Sequence, residues 1–174
     1  MTEAVAAAPA AARRLQQAFV DIAQDRMAGL PMVHPDVGVE AVGFAPHPGP
    51  DGEEGWLGVL ITSWCMNLVW IPATPDAARS VASPGATRLH ALGDSAYAFI
   101  GSHEAIAGHG RFEACSLFSP MSDFADHAAA RAVADEILRS LRKAAQQAGG
   151  EQAATARETV ETSRRRFLFG GARP

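Results

Sequence analysis

The chain of 174 residues suits one domain, and its 48% hydrophobic content supplies enough apolar material for a core. A net charge of −4 argues against nucleic acid as the main partner, because phosphate binding rests on clustered Lys and Arg. The two cysteines, Cys65 and Cys115, lie far apart in apolar settings, too few for a disulfide framework or a thiolate zinc site, and read as buried thiols.

Residues 1–9 are Ala-rich without periodic apolar spacing and are expected to be disordered. A first helix is predicted over residues 10–28, where Leu15, Phe19, Ile22, Ala23 and Met27 recur at three- and four-residue intervals; Gly29 and Pro31 stop it. "DVGVEAVGF" reads as a strand and "PHPGPDGEEG" as a turn-rich connector. "WLGVLITSWCMNLVWIP" is too rich in β-branched and aromatic residues for a helix. It divides into strands at residues 56–62 and 66–71, joined tightly through residues 63–65. A Pro/Ala/Ser loop follows, then a hairpin, "TRLHAL" and "AYAFIGSHE", turning at Gly93-Asp94, and a short strand in "GRFEACSLFS". The last helix is capped by Ser122 or Asp123. It carries Phe124, Ala128, Val133, Ile137, Leu138 and Leu141 on one stripe and ends at Gly149-Gly150. The order predicts an α+β domain over residues 10–148: an antiparallel sheet with an N-terminal and a C-terminal helix packed on it, both on one face. A flexible basic tail, residues 149–174, completes the chain.

Catalytic patterns are missing. "GDSAY" has Tyr97 where a nucleophile elbow needs Gly, and reads as a hairpin turn. Glu53 and Glu54 sit in a glycine-rich loop where little would desolvate them, and read as solvated. No phosphate loop or dinucleotide glycine pattern occurs. His103, Glu104 and His109 could offer metal ligands, but Gly108 and Gly110 weigh against a rigid placement; His34, His47, His90 and His127 are scattered, and no cofactor is expected. Two apolar segments exceed what a core needs. Trp64, Met66 and Trp70 surround Asn67, while Leu117, Phe118, Met121 and Phe124 surround a proline turn. Trp and Met together on turns suit an adaptable peptide-binding groove.

The C-terminal "SRRRFL", residues 163–168, has the form of a twin-arginine export signal at the wrong end of a chain. No other leader pattern and no run of about 18 apolar residues is found, so the chain is expected in the cytosol, without stable membrane insertion.

"LGVLITSWCMNLVWIP", "CSLFSPMSDF" and "SRRRFLFGG", in that order, resemble the HybE/HupJ family of nickel-iron hydrogenase maturation chaperones. The likeness runs from about Phe19 to Gly170. It implies a small cytosolic accessory protein with no enzymatic activity. Such a protein binds the precursor of the hydrogenase small subunit at its twin-arginine signal and delays export until assembly is complete. The large subunit and other maturation proteins are further partners the resemblance implies, and protection of assembly from oxygen or handling of a metal cluster is the alternative role. The implied partner-binding residues are Trp64, Met66, Asn67, Leu68, Phe118, Ser119, Pro120 and Met121, with Arg164, Arg165, Phe167 and Leu168 of the tail. Ser63 stands where the family usually has Pro, and Cys65 where it has an aromatic, which bears on the turn and the groove. On this reading the tail is either a decoy of the client's signal, tethered through residues 149–162, or a basic segment whose Arg164 to Arg166 dock on an acidic patch of the domain or of a partner subunit.

Overall fold

A computed structural model describes residues 9–169, with side chains as far as residue 150; residues 1–8, where disorder is expected, and 170–174 lie outside it. Helix α1 (Ala10–Ile22) widens into a π-helical turn at Ala23–Met27 and is followed by Gly29 at φ 78°. Strands β1 (Glu40–Pro46), β2 (Gly55–Ile61) and β3 (Met66–Pro72) come next. A short helix α2 (Pro75–Arg79) precedes β4 (Thr87–Leu92), β5 (Ser95–Ile106), β6 (Gly110–Phe118) and helix α3 (His127–Phe169). The six strands form one antiparallel sheet in the order β1-β2-β3-β6-β5-β4.

The two helices do not share a face. On β2 and β3 alternate residues separate into two cores: Leu57, Val59, Ile61, Met66, Leu68 and Trp70 pack with Ala130, Ala134 and Leu138 of α3, while Leu60, Val69 and Ile71 pack with Ala11 and Leu15 of α1. Successive side chains of a strand point to opposite faces, so α1 and α3 lie on opposite sides of the sheet. This corrects the expected one-face layout. The near-unbroken apolar run from Trp56 to Ile71 has its cause here, because the hairpin between the two helices is covered on both sides.

Local chemistry sets the ends of the elements. Thr74 caps α2, its hydroxyl accepting the Ala77 N–H at 3.1 Å, with Pro75 at the first helical position, a helix inside what reads in sequence as a loop. Asp126, rather than Ser122 or Asp123, caps α3 by accepting the Ala129 N–H at 2.8 Å. Phe124 therefore precedes the helix and packs edge-on against Phe118 at 5.1 Å. In the β4–β5 turn Gly93 has φ 69°, the left-handed value that a two-residue hairpin opening on glycine requires.

Helix α3 also runs through Gly149-Gly150 instead of ending there, and the stretch expected to be a tether is helical in the described chain. Two glycines cost a helix roughly 2 kcal/mol relative to alanine, and the Ala-, Glu-, Gln- and Arg-rich residues on both sides offset that.

Two glycine substitutions should move stability in opposite directions. A Cβ on Gly101 would collide with the backbone carbonyls of Ala82 and Ser83, so Gly101→Ala is expected to lower stability by about 1–3 kcal/mol. Gly150 has open space around it, and Gly150→Ala is expected to gain roughly 0.5–1 kcal/mol and some helical signal. Urea unfolding followed by circular dichroism reads both, and no gain for Gly150→Ala would count against a continuous α3.

Candidate partner-binding site

The two apolar segments singled out in the sequence are brought together by the pairing of β3 with β6: Met66 lies opposite Phe118 and Asn67 opposite Ser116, with a bulge between. Their side chains divide by face. Met66, Leu68 and Met121 are 0%, 1% and 0% exposed and form core beneath the surface, so in this conformation they shape it without being open to contact. Trp64, Asn67 and Phe118 are partly exposed, and Ser119 and Pro120, joined by a cis peptide bond, are exposed. Trp64 stacks on Phe19 of α1 at 6.4 Å, and Phe19 meets Phe112 of β6 edge-on at 6.0 Å, which makes an aromatic shelf on the α1 side. Phe118 faces the other side, with Phe124. The candidate surface is therefore two patches at one end of the β3–β6 pair, not one continuous groove. Arg164, Arg165, Phe167 and Leu168 belong to the far part of α3, and their side chains lie outside the described residues.

The turn that carries Trp64 is built on Thr62. Its hydroxyl accepts the N–H groups of Trp64 at 3.3 Å and Cys65 at 2.9 Å and donates to the Cys65 carbonyl at 2.8 Å. Ser63 is buried, and its carbonyl accepts the His34 N–H at 2.7 Å, which ties the turn to the segment before β1. Burial pushes the thiols of Cys65 and Cys115 up, as suits inert thiols, although hydrogen bonds from Thr62 and Asn67 partly counter it at Cys65. Among the described residues no group of three or more His, Cys, Asp or Glu side chains could hold a metal ion. Beside a cavity of about 70 Å³ lined by Pro46, His47, Leu57, Leu92, Leu138 and Leu141 there are two wider surface hollows, one of about 390 Å³ around His47, Glu53 and Trp56 and one of about 500 Å³ between Gly43 and Arg139, Arg142 and Lys143 of α3.

A polar network that the sequence reading missed lies under the loop at residues 47–55. Glu113 of β6 is completely buried. Its carboxylate accepts from His90 Nε2, from the Ala82 N–H at 2.7 Å and from Arg88 at 3.5 Å. Arg88 also reaches Asp51 at 2.9 Å and Glu53, so Glu53 is an ion-paired anchor and not a solvated loop residue; Glu54 is exposed as expected. His90 is wedged between Trp70 and Phe99, ring centroids at 5.6 and 4.2 Å. Burial alone would raise the Glu113 carboxyl, but the His90 and Ala82 hydrogen bonds and the charges of His90 and Arg88 outweigh it and hold it below its ordinary value. Glu53 is likewise lowered, its burial outweighed chiefly by Arg88. His47, over the same cluster, is lowered by burial and by repulsion from His90.

Two further histidines, His127 and His34, are ties between segments. Gly38 N–H donates to His127 Nδ1 at 3.2 Å, which leaves Nε2–H to donate to Glu40 at 2.8 Å. Asp36 N–H donates to His34 Nδ1 at 3.1 Å, and Nε2–H donates to the Phe124 carbonyl at 2.8 Å. Both fasten residues 34–40 to the start of α3.

The geometry is an antiparallel sheet between two helices, with a partly exposed aromatic turn at one end of the β3–β6 pair. Comparison supplies the class. The family described as NiFe-hydrogenase assembly chaperone HybE matches residues 10–170, and this chain belongs to it. Protein HoxT of Cupriavidus necator is 39% identical over 92% of this chain and 89% of its own length. The hydrogenase expression/formation protein HupJ of Bradyrhizobium diazoefficiens is 35% identical over 90% of this chain and 85% of its own. The solution structure of HybE from Escherichia coli has the same fold, with a TM-score of 0.54 at 23% identity over 74% of this chain and 75% of that one. The family is one of assembly chaperones, not of catalysts, and hydrogenase subunits are its clients.

The buried network predicts an acid-sensitive fold. Removing one partner of a buried ionic cluster strands the others, so Glu113→Ala should cost roughly 3–5 kcal/mol at neutral pH, and Glu53→Gln, at the rim, less. Because both carboxyls are depressed in the folded chain, their contribution is complete above the ordinary value of 4.5 and is lost as pH falls through the lowered values. Urea unfolding across that range should show wild type losing stability more steeply than Glu113→Gln. Parallel pH profiles would contradict the assignment.

Proposed function

We propose that this chain is the accessory chaperone of a nickel-iron uptake hydrogenase that binds the small-subunit precursor at its twin-arginine signal and delays export until assembly is complete. It works in the cytosol, before translocation. The observation that carries the reading is the juxtaposition of the two family-like segments: Met66 opposite Phe118 and Asn67 opposite Ser116 set Trp64 and Phe19 on one side and Phe118 and Pro120 on the other, at one end of the sheet. Trp buries large area with few rotatable bonds, and aromatic anchors of this kind dominate the binding of apolar peptides. The body of the protein is acidic, which favours a client segment led by two arginines. The twin-arginine-like residues 163–168 then act as an internal competitor of the client. Since the tether expected to carry them is helical in the described chain, that competition requires α3 to open at Gly149-Gly150.

Calorimetric titration with a synthetic small-subunit signal peptide tests the reading. Micromolar binding is expected, weakened about tenfold or more when the two arginines become alanine and by a similar factor in Trp64→Ala. Absence of binding by either peptide would sink it. A chain truncated after Thr162 should bind more tightly if the tail competes, and equal or weaker binding assigns the tail to docking elsewhere.

A further inference from the structure

The two edges of the sheet are finished differently. Edge strand β1 is bulged between Val42 and Ala45 and ends at Pro46. Its Ala41 N–H is taken by the Gln16 side chain at 2.9 Å and its Gly43 carbonyl by Arg142 at 2.6 Å. These devices close an edge to further pairing. Edge strand β4 has none of them. Its six pairs with β5 run without a register shift and it contains no proline or lysine; its one inward-turned charge, Arg88, is a device of another kind, but it is neutralised by the carboxylates of Asp51, Glu53 and Glu113. Among the described residues, nothing hydrogen-bonds to the backbone groups of β4 that point away from β5.

The face beside this edge is unusual too. Helix α1 covers only part of its side of the sheet, and beyond it Thr87, Leu89 and Ala91 of β4 and Ala96, Ala98 and Ile100 of β5 all stand exposed. None is charged, and Leu89 and Ile100 are 60% and 51% exposed. Register pairs continue this surface from Ile100 to Ala114 on β6, and Ser116, next outward on that strand, lies opposite Asn67. The uncharged face thus joins the turn that presents Trp64.

Charge selects the occupant. Asp51, Glu53 and Glu113 share the single guanidinium of Arg88 near the start of β4, with Glu54 exposed beside them, and Asp94 stands just past its end. A second copy paired antiparallel, β4 on β4, would bring Asp51 and Glu54 of each copy toward Asp94 of the other, a repulsive arrangement. A segment carrying cations meets no such penalty.

We infer that β4 accepts an added strand from a partner: an extended segment in which one or two cationic residues lead into an uncharged apolar run. The cations lie by Asp51 and Glu54, the run follows β4 toward Leu92 and so parallel to it, and alternate side chains extend the Leu89–Ile100 face. Main-chain hydrogen bonds supply affinity and the uncharged face selects the apolar run. The inference rests on the function proposed above, since an export signal has this order of residues, and it adds where and in which direction the signal lies.

The test uses the full chain and the synthetic signal peptide with a photoreactive phenylalanine in its apolar run. Cross-links are expected within residues 87–100. Leu89→Glu and Ile100→Lys, both at exposed positions, should each weaken binding tenfold or more with unchanged circular dichroism, and Glu54→Lys should weaken it and flatten its salt dependence. Wild-type affinity in Leu89→Glu and Ile100→Lys with cross-links elsewhere would overturn the inference and leave the chaperone reading standing. No binding of the peptide to any form would remove both. A dimer that Leu89→Glu converts to monomer, with peptide affinity unchanged, would assign the edge to a second copy and also overturn the inference.

Discussion

The β2–β3 hairpin is buried on both faces, and most of the architecture follows from that. Leu57, Val59, Ile61, Met66, Leu68 and Trp70 need cover on one side and Leu60, Val69 and Ile71 on the other, which a single helix cannot provide. Each of these side chains is worth roughly 1.5–3 kcal/mol when taken out of water, so both helices are held against the hairpin, one on each side. Helix α3 meets β1, β2 and β4 on one side, while α1 covers β1 and the far end of β5 on the other. What remains uncovered is the α1-side face of β4 and most of β5. The exposed uncharged face of β4 and β5 is thus the part of the sheet left over once the hairpin has been covered.

The buried Glu113 is the second organising element, and it works against the grain of the first. Placing a carboxylate in a sheet core is costly, and the cost is offset only where both of its oxygens find donors. His90, Arg88 and the Ala82 N–H meet that demand, and in doing so they fix three separate segments: β4, the loop at residues 81–83, and, through Arg88, the loop at residues 47–55. The network orders exactly the region beside the open edge strand. It also turns Arg88 and His90 of β4 inward and leaves Leu89 and Ala91 facing out.

That inversion explains what could and could not be read in the sequence. "WLGVLI" and "MNLVWIP" are legible as strands because β-branched and aromatic residues fill them, and the hairpin turn at Gly93-Asp94 is legible from its glycine. Two-sided burial was also written there, as an apolar run too continuous for a half-exposed strand, but the same run reads as a groove when Trp and Met are taken for surface. Met66, Leu68 and Met121 are buried beneath that surface in this conformation. In "TRLHAL" the alternation is plain, yet hydrophobicity alone assigns Leu89 inward and Arg88 and His90 outward, the reverse of what occurs. The partner that reverses it, Glu113, is 25 residues from Arg88 and reached only through the pairing of β4, β5 and β6. A lone acid within "RFEACSLF" was the one available hint. The end of α3 was misread for a simpler reason: two glycines weaken a helix without forcing it to stop.

The family gives the role, assembly of a hydrogenase, and the sheet combines a buried hairpin, an aromatic turn at its tip and an uncharged face running out to an edge strand. The claim beneath this account is that cover is unequal, complete at the hairpin and absent at the β4 edge. Amide hydrogen exchange of the free chain measures it directly. The account predicts that β2 and β3 amides exchange only on global unfolding, while the β4 amides that point away from β5 exchange orders of magnitude faster. Protection of those β4 amides equal to that of β3 would contradict it.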